Sequence, residues 1–110
     1  MGYITDGESG GDFMFARVSI VQGKTEKMDE GIRHYQEQLL PEARKMAGFK
    51  GAYLLVDRKS GKNLGITLWD TEKNMQASTV AANRLRAQAA EKLADPKPPV
   101  VETYEVAVQP

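Results

Sequence analysis

The sequence predicts a single α+β domain built from a strand, a helix, two strands, a second helix and a last strand. The chain has 110 residues, which suits one domain with one hydrophobic core. Four short segments alternate apolar and polar side chains as strands do, and two longer segments repeat apolar side chains at helical spacing. Right-handed crossovers arrange such elements as a ferredoxin-like βαββαβ sandwich, a four-stranded antiparallel sheet with both helices on one face.

The ordered domain is expected to span residues 13–110. Residues 1–12 contain four glycines and read as a flexible N-terminal tail. The first strand is predicted from Phe13 to Gln22, ending at Gly23. Its odd-numbered and even-numbered side chains then lie on opposite faces of the sheet.

The first helix is predicted to begin at Thr25 as N-cap. Its buried stripe is formed by Met28, Ile32, Tyr35 and Leu39. Pro41 lacks an amide hydrogen and should kink or split the helix, and Gly48 should end the second piece in a left-handed conformation.

A hairpin is predicted from two strands, Phe49–Asp57 and Asn63–Trp69. A turn centred near Ser60 would pair Leu54 with Ile66 and Leu55 with Gly65. The same register would place Trp69 across from Gly51, so that the indole covers bare backbone.

The second helix is predicted to begin at Thr71 and to end near Ala94. Val80 lies off its apolar stripe, which indicates a helix break or a second contact. The last strand follows at Val100–Val108, after a proline-rich connector. The stripe itself consists of Met75, Ala82, Ala89 and Leu93.

One face of this predicted sheet is left without helices and is unusually apolar. A monomer rarely exposes so large an apolar area, so we expect a homodimer formed sheet to sheet. Arg17 and Glu105 should lie on this face as neighbours on the first and last strands, where an ion pair would fix the dimer register. The predicted apolar residues of the face are Phe15, Val21, Tyr53, Leu55 and Trp69.

Composition argues against several classes of function. Fifteen basic residues balance fifteen acidic ones and are interspersed with them, unlike the basic clusters that bind nucleic acid. The absence of cysteine and the presence of one histidine argue against a metal site. No apolar run approaches the roughly 20 residues of a membrane span, and no secretory signal is recognisable. The expectation is a cytoplasmic protein without membrane, nucleic-acid or metal partners.

Four segments resemble the antibiotic biosynthesis monooxygenase (ABM)-like domains of the dimeric α/β-barrel superfamily. The resemblance extends from Phe13 to Val108 and marks the scaffold more than any chemistry. Its carriers are the strand end Val21-Gln22-Gly23-Lys24, the turn Met46-Ala47-Gly48-Phe49-Lys50-Gly51, the strand end Ile66-Thr67-Leu68-Trp69-Asp70-Thr71 and the closing Val101-Glu102-Thr103-Tyr104-Glu105-Val106.

The resemblance implies a ligand cleft between the helices and the sheet, with no cofactor. Structural packing of Trp69, over Gly51 or in the dimer core, is favoured, and the alternative is a stacking wall for a flat ligand. The helix stripe with Ala82 and Ala89 either leaves a gap for a ligand or packs closely on the sheet. The candidate cleft residues are Trp69, Tyr35, Met28, Met75, Ala82 and Ala89.

The superfamily is diverse in activity, so the fold alone does not fix a function. Its haem-degrading branch uses Asn, Trp and His at positions that align near Ala16, Ser78 and Gln88, which argues against haem degradation here. The first hypothesis is a domain that binds a small apolar or aromatic molecule or oxidises it without a cofactor. The alternative is a non-catalytic dimeric module for stress response or scaffolding, favoured because no catalytic residues can be identified.

Overall fold

The computed structural model describes residues 14–93 and 98–110. The predicted tail at residues 1–12 lies outside the described residues. The elements are β1 Met14–Gln22, a 3-10 turn Thr25–Lys27, α1 Met28–His34, a π-helical segment Tyr35–Leu39, α2 Leu40–Arg44, β2 Phe49–Asp57, β3 Lys62–Trp69, α3 Glu72–Ala77, α4 Thr79–Lys92 and β4 Val100–Val106.

The four strands form one sheet in the order β2-β3-β1-β4. Every neighbouring pair is antiparallel, and the helices cover one face. The predicted ferredoxin-like α+β fold is therefore confirmed. Among the described residues, no helix is long and apolar enough to cross a membrane.

The predicted register of the β2–β3 hairpin is wrong by one residue. Leu54 lies opposite Gly65, and Tyr53 lies opposite Ile66. The cause is the turn, in which the amide of Gly61 donates to the carbonyl of Asp57 at 2.9 Å. Gly61 adopts φ +84°, a left-handed conformation that glycine accepts without strain. This turn pairs Asp57 with Lys62 and so fixes the register of the whole hairpin.

A one-residue slip turns every side chain of a strand to the other face of the sheet. The prediction was right for β2, where Tyr53 and Leu55 lie on the face without helices. It was wrong for β3 and for β1, which pairs with it. Consequently Arg17, Val21 and Trp69 lie beneath the helices, with exposed fractions of 5%, 5% and 1%.

Three further expectations are corrected by the same reversal. Phe15 pairs with Trp69 on one side and Glu105 on the other, so all three share the helix-covered face. Glu105 is exposed and makes no ion pair with Arg17, whose guanidinium is bonded to the helices instead. Trp69 does not cover Gly51, which pairs with Leu68.

The sheet face without helices, here called the open face, is more apolar than predicted. Its charged side chains in the described strands are Glu102, which accepts a hydrogen bond from Tyr104, and the pair Asp57 and Lys62 at the hairpin end. The apolar residues are Met14, Ala16, Val18 and Ile20 of β1, Tyr53 and Leu55 of β2, Leu64, Ile66 and Leu68 of β3, and Val100, Tyr104 and Val106 of β4.

The first helical stretch is not broken at Pro41. The backbone stays helical through Leu39 and Leu40, and the helix widens into the π-helical segment Tyr35–Leu39 just before the proline. A wider turn accommodates a residue that cannot donate to the preceding turn and whose ring would clash there. Thr25 begins a 3-10 turn and does not act as a side-chain cap.

The second helical stretch is broken at Ser78, between α3 and α4. The sequence indicated a break or second contact near Val80, which is indeed 82% exposed. Thr71 caps α3 as predicted, because its hydroxyl accepts a hydrogen bond from the amide of Asn74 at 3.0 Å. Gly48 has the predicted left-handed conformation, with φ +81°, but it does not cap the helix, because α2 already ends at Arg44.

Candidate functional site

A cavity of about 80 Å³ lies between the helices and the covered face of the sheet. Its floor is formed by alternate residues of β1 and β3, and its roof by the π-helical segment and α4. The lining residues are Arg17, Ser19, Val21, Gly31, Tyr35, Leu39, Ala43, Met46, Leu54, Asn63, Gly65, Thr67, Trp69, Ala82, Leu85, Arg86, Ala89 and Leu93.

Trp69 forms a rigid wall of this cavity. Its ring packs edge to face against Phe49, with ring centroids 5.7 Å apart. Its indole Nε1 donates a hydrogen bond to Thr67 Oγ1 at 2.9 Å. These two contacts hold the indole in one orientation, as a stacking surface requires.

Arg17 reaches from the sheet to the helix break. Its guanidinium donates to Ser78 Oγ at 2.9 Å, to the Met75 carbonyl at 2.7 Å and to Thr79 Oγ1 at 3.2 Å. The guanidinium carbon also lies 5.9 Å from the centroid of the Trp69 ring. Because helix C-termini carry partial negative charge, the end of α3 is a favourable place for a cation.

Arg86 is the second arginine of the cavity and lies on α4. Its guanidinium donates to Ser19 Oγ at 3.3 Å and to Asn83 Oδ1. Ser19 follows Arg17 by two residues on the same face of β1, which places its Cα about 7 Å along the strand. The side chain of Arg86 is half-buried, so it lies between the cavity and solvent.

The two arginines are close enough to influence each other electrostatically. Burial lowers the pKa of Arg17, and the charge of Arg86 lowers that pKa further. Burial also lowers the pKa of Arg86. In the described part of the chain neither guanidinium makes a salt bridge, and the described lining holds no Asp or Glu. The cavity therefore carries positive charge that these residues do not neutralise.

Tyr35 contributes a hydroxyl that is a donor and not a base. It lies in the π-helical segment and donates to the carbonyl of Tyr53 at 3.3 Å. Burial raises the pKa of Tyr35 to about 12. The phenol consequently stays protonated at neutral pH.

The structure brings together four of the six predicted cleft residues. Trp69, Tyr35, Ala82 and Ala89 line the cavity. Met28 and Met75 do not line it; both are almost fully buried in the core. The two alanines therefore stand over a gap between α4 and the sheet.

Sequence reasoning missed the two arginines as cavity residues. Arg17 was expected on the opposite face of the sheet. Arg86 lies four residues after Ala82 and three before Ala89, so it continues the same helical stripe. That spacing was the available signal: a charged residue on an otherwise apolar stripe.

A separate groove runs between α1 and α4 around His34. It is open and mixed in charge, with Glu30, Glu37, Glu91 and Lys92 among its walls. Burial lowers the pKa of His34, and the charge of Lys92 lowers it further. Within residues 14–93 and 98–110, no three His, Asp or Glu side chains are arranged to hold a metal ion.

Comparison by sequence finds relatives in Mycobacterium tuberculosis. Uncharacterized protein Rv2557 of strain H37Rv is 34% identical over 97 residues, which are 88% of this chain and 42% of the relative. The chain thus spans less than half the length of the curated relatives it matches. No family model matches the sequence.

Comparison by structure finds two oxygenases and a haem-degrading protein, among others, with the same fold. The monooxygenase from the gene ActVA-Orf6 of Streptomyces coelicolor, determined with the ligand nanaomycin D, superposes with a TM-score of 0.67 at 16% identity over 91% of this chain and 94% of its own. SnoaB, a cofactor-independent oxygenase of Streptomyces nogalater, superposes with a TM-score of 0.57 at 14% identity. The match covers 90% of this chain and 95% of SnoaB. The haem-degrading protein Rv3592 of M. tuberculosis superposes with a TM-score of 0.64 at 13% identity. The match covers 89% of this chain and 96% of Rv3592. Such identities show a shared fold.

Proposed function

Starting from a chain with the fold of ABM-like domains, we propose that it binds a small, largely apolar or aromatic molecule between its helices and sheet. One observation carries the proposal: a cavity exists there, and Trp69 forms a fixed aromatic wall within it. Ligand sites are mostly apolar clefts with a few placed polar groups, which describes this lining.

The volume of the cavity limits what fits without rearrangement. An apolar cavity of about 150 Å³ accepts benzene, whereas this one is about 80 Å³. An aromatic ligand therefore has to displace side chains at the mouth. Arg86 is placed to move, because it is half-buried and its bond to Ser19 is long at 3.3 Å.

Oxidation without a cofactor is the second candidate function. It is favoured by the shared fold with a cofactor-independent oxygenase, SnoaB. The described lining offers no carboxylate or imidazole as general base, and Tyr35 stays protonated. A substrate oxidised here would have to lose its proton readily and supply its own electrons to oxygen.

We also propose that the domain forms a homodimer through the open face. Tyr53 and Leu55 are 61% and 50% exposed there, and most of their neighbours on the face are apolar. Burying one large apolar side chain contributes about 1.5–3 kcal/mol. Several such residues offset the lower estimates for the loss of rotational and translational freedom, about 4 kcal/mol.

The alternative is a non-catalytic dimeric module. It is favoured because the described cavity lining contains no residue that could act as a general base. Thermal unfolding in a library of aromatic acids, phenols and quinols separates the two. A ligand present at about 100 times its Kd should stabilise the domain by about 2.7 kcal/mol. A library without any shift would contradict ligand binding. Oxygen uptake with a stabilising ligand would support oxidation, and binding without uptake would favour the non-catalytic module.

A further inference from the structure

Two positive charges line a largely apolar cavity whose described walls contain no acidic residue. The acceptors of Arg17 are two hydroxyls and a carbonyl, and those of Arg86 are a hydroxyl and an amide. All five acceptors are neutral. Hydrogen bonds therefore orient both guanidiniums without neutralising them.

Such an arrangement costs stability. Moving a charge from water to the protein interior is unfavourable unless a counter-charge is present. Arg17 is 5% exposed, and Arg86 adds a second cation nearby. The chain does carry surface partners for other arginines, for example Glu42 for Arg84 and Asp29 for Arg58. The unneutralised pair is found instead at the cavity.

The two guanidiniums also keep donors for a further acceptor. A guanidinium has five N–H groups. Arg17 uses three in its bonds to α3 and α4, and Arg86 uses two. A planar anion can accept such donors in pairs, in a geometry that a single carbonyl does not match.

We propose that the ligand of this cavity is an apolar or aromatic carboxylate, with its anionic group at Arg17 and Arg86 and its apolar part against Trp69. The inference rests on the proposed small-molecule binding and adds the charge of the ligand. A carboxylic acid is ionised at neutral pH, because its ordinary pKa is near 4. It therefore brings the counter-charge without first losing a proton at the site.

Isothermal titration calorimetry with matched acids and amides tests the proposal. The probes are benzoate and benzamide, then 2-naphthoate and 2-naphthamide, which have nearly the same shape and differ in charge. Wild-type protein should bind each acid at least tenfold more tightly than its amide. In Arg86→Met the ratio should fall to threefold or less, because the acid loses more affinity than the amide.

Arg84→Met is the control, because it removes the same charge from the outer side of the same helix. It should keep the wild-type ratio. Equal affinity of acids and amides for the wild type would overturn the carboxylate assignment and leave small-molecule binding intact. The carboxylate assignment would also be overturned if Arg86→Met, folded by circular dichroism, kept the tenfold preference or weakened acid and amide binding alike. Failure of all four probes to bind would overturn both proposals.

Discussion

The guanidinium of Arg17 donates a hydrogen bond to the hydroxyl of Ser78 at 2.9 Å, joining the first strand to the break between α3 and α4. The Ser78 hydroxyl in turn donates to the carbonyl of Met75, which also accepts from Arg17. Strand and helix break are thus held by one small network. It holds the guanidinium of Arg17 in place at the wall of the cavity.

Two substitutions of Arg17 should separate the effects of its buried charge and of its hydrogen bonds on the free energy of unfolding. Arg17→Ala removes three hydrogen bonds and leaves a void, so we expect destabilisation by about 2–4 kcal/mol. Arg17→Met keeps most of the volume and removes the unneutralised charge, so its stability should stay within about 1 kcal/mol of wild type. Urea unfolding midpoints measure both. Equal destabilisation by the two substitutions would show that the bonds outweigh the charge.

Gly23→Ala should destabilise the domain by overpacking the end of α4. A Cβ at Gly23 would lie 2.7 Å from the Cβ of Leu93, and a rotamer change cannot relieve that contact. Forcing the elements apart typically costs about 1–3 kcal/mol. Gly51→Ala is the control, since its Cβ would lie 3.9 Å from Leu68. Thermal unfolding that shows equal effects would contradict close packing of Leu93 on Gly23.

Stability should decrease as the pH is lowered from about 7.5 to about 5.5. Burial and Lys92 lower the pKa of His34. The unfolded chain therefore takes up this proton more readily than the folded one, and stability is lost as the pH falls through the ordinary histidine value of about 6.5. His34 is the one histidine in the chain, so His34→Gln should flatten the dependence in this range. Denaturant titrations with parallel pH profiles for both proteins would refute this.

Leu55→Asp should convert a dimer into a folded monomer. Leu55 is 50% exposed on the open face, so a carboxylate there is tolerated by the monomer but would be buried in the dimer. Val80→Asp introduces the same charge on the outer side of α4, where Val80 is 82% exposed, and should leave the mass unchanged. Sedimentation equilibrium measures the mass. A monomeric wild type would contradict the proposed dimer.

The order of the elements could be predicted from the sequence because each element carries its own periodicity and end signals. Thr71 caps its helix and Gly48 is left-handed as predicted, since both features depend on local chemistry. The sequence does not determine which side chains of β1 and β3 face the helices. Their orientation depends on whether the turn before Lys62 contains one residue more or less, and the left-handed Gly61 decides it.

The candidate site was predicted in part for the same reason. The spacing of Ala82 and Ala89 on α4 is a local pattern, and the cavity lies between these two residues and the sheet. Arg17 was assigned to the wrong face together with its strand. Its role at Ser78 depends on a helix break and a strand distant in sequence, which no local pattern encodes.

The fluorescence of Trp69 tests the central claim most directly, because it is the one tryptophan in the chain and it lines the cavity. The measurement is a titration with 2-naphthoate of wild type, Ala89→Leu and Ala87→Leu. Leucine at position 89 adds three carbon atoms to a side chain that lines the cavity. Ala87→Leu is the control, because it adds the same atoms at an exposed position. We expect a saturable change in emission for wild type and Ala87→Leu, and none for folded Ala89→Leu. No saturable change in wild type, or the same affinity in all three proteins, would contradict a ligand site in this cavity.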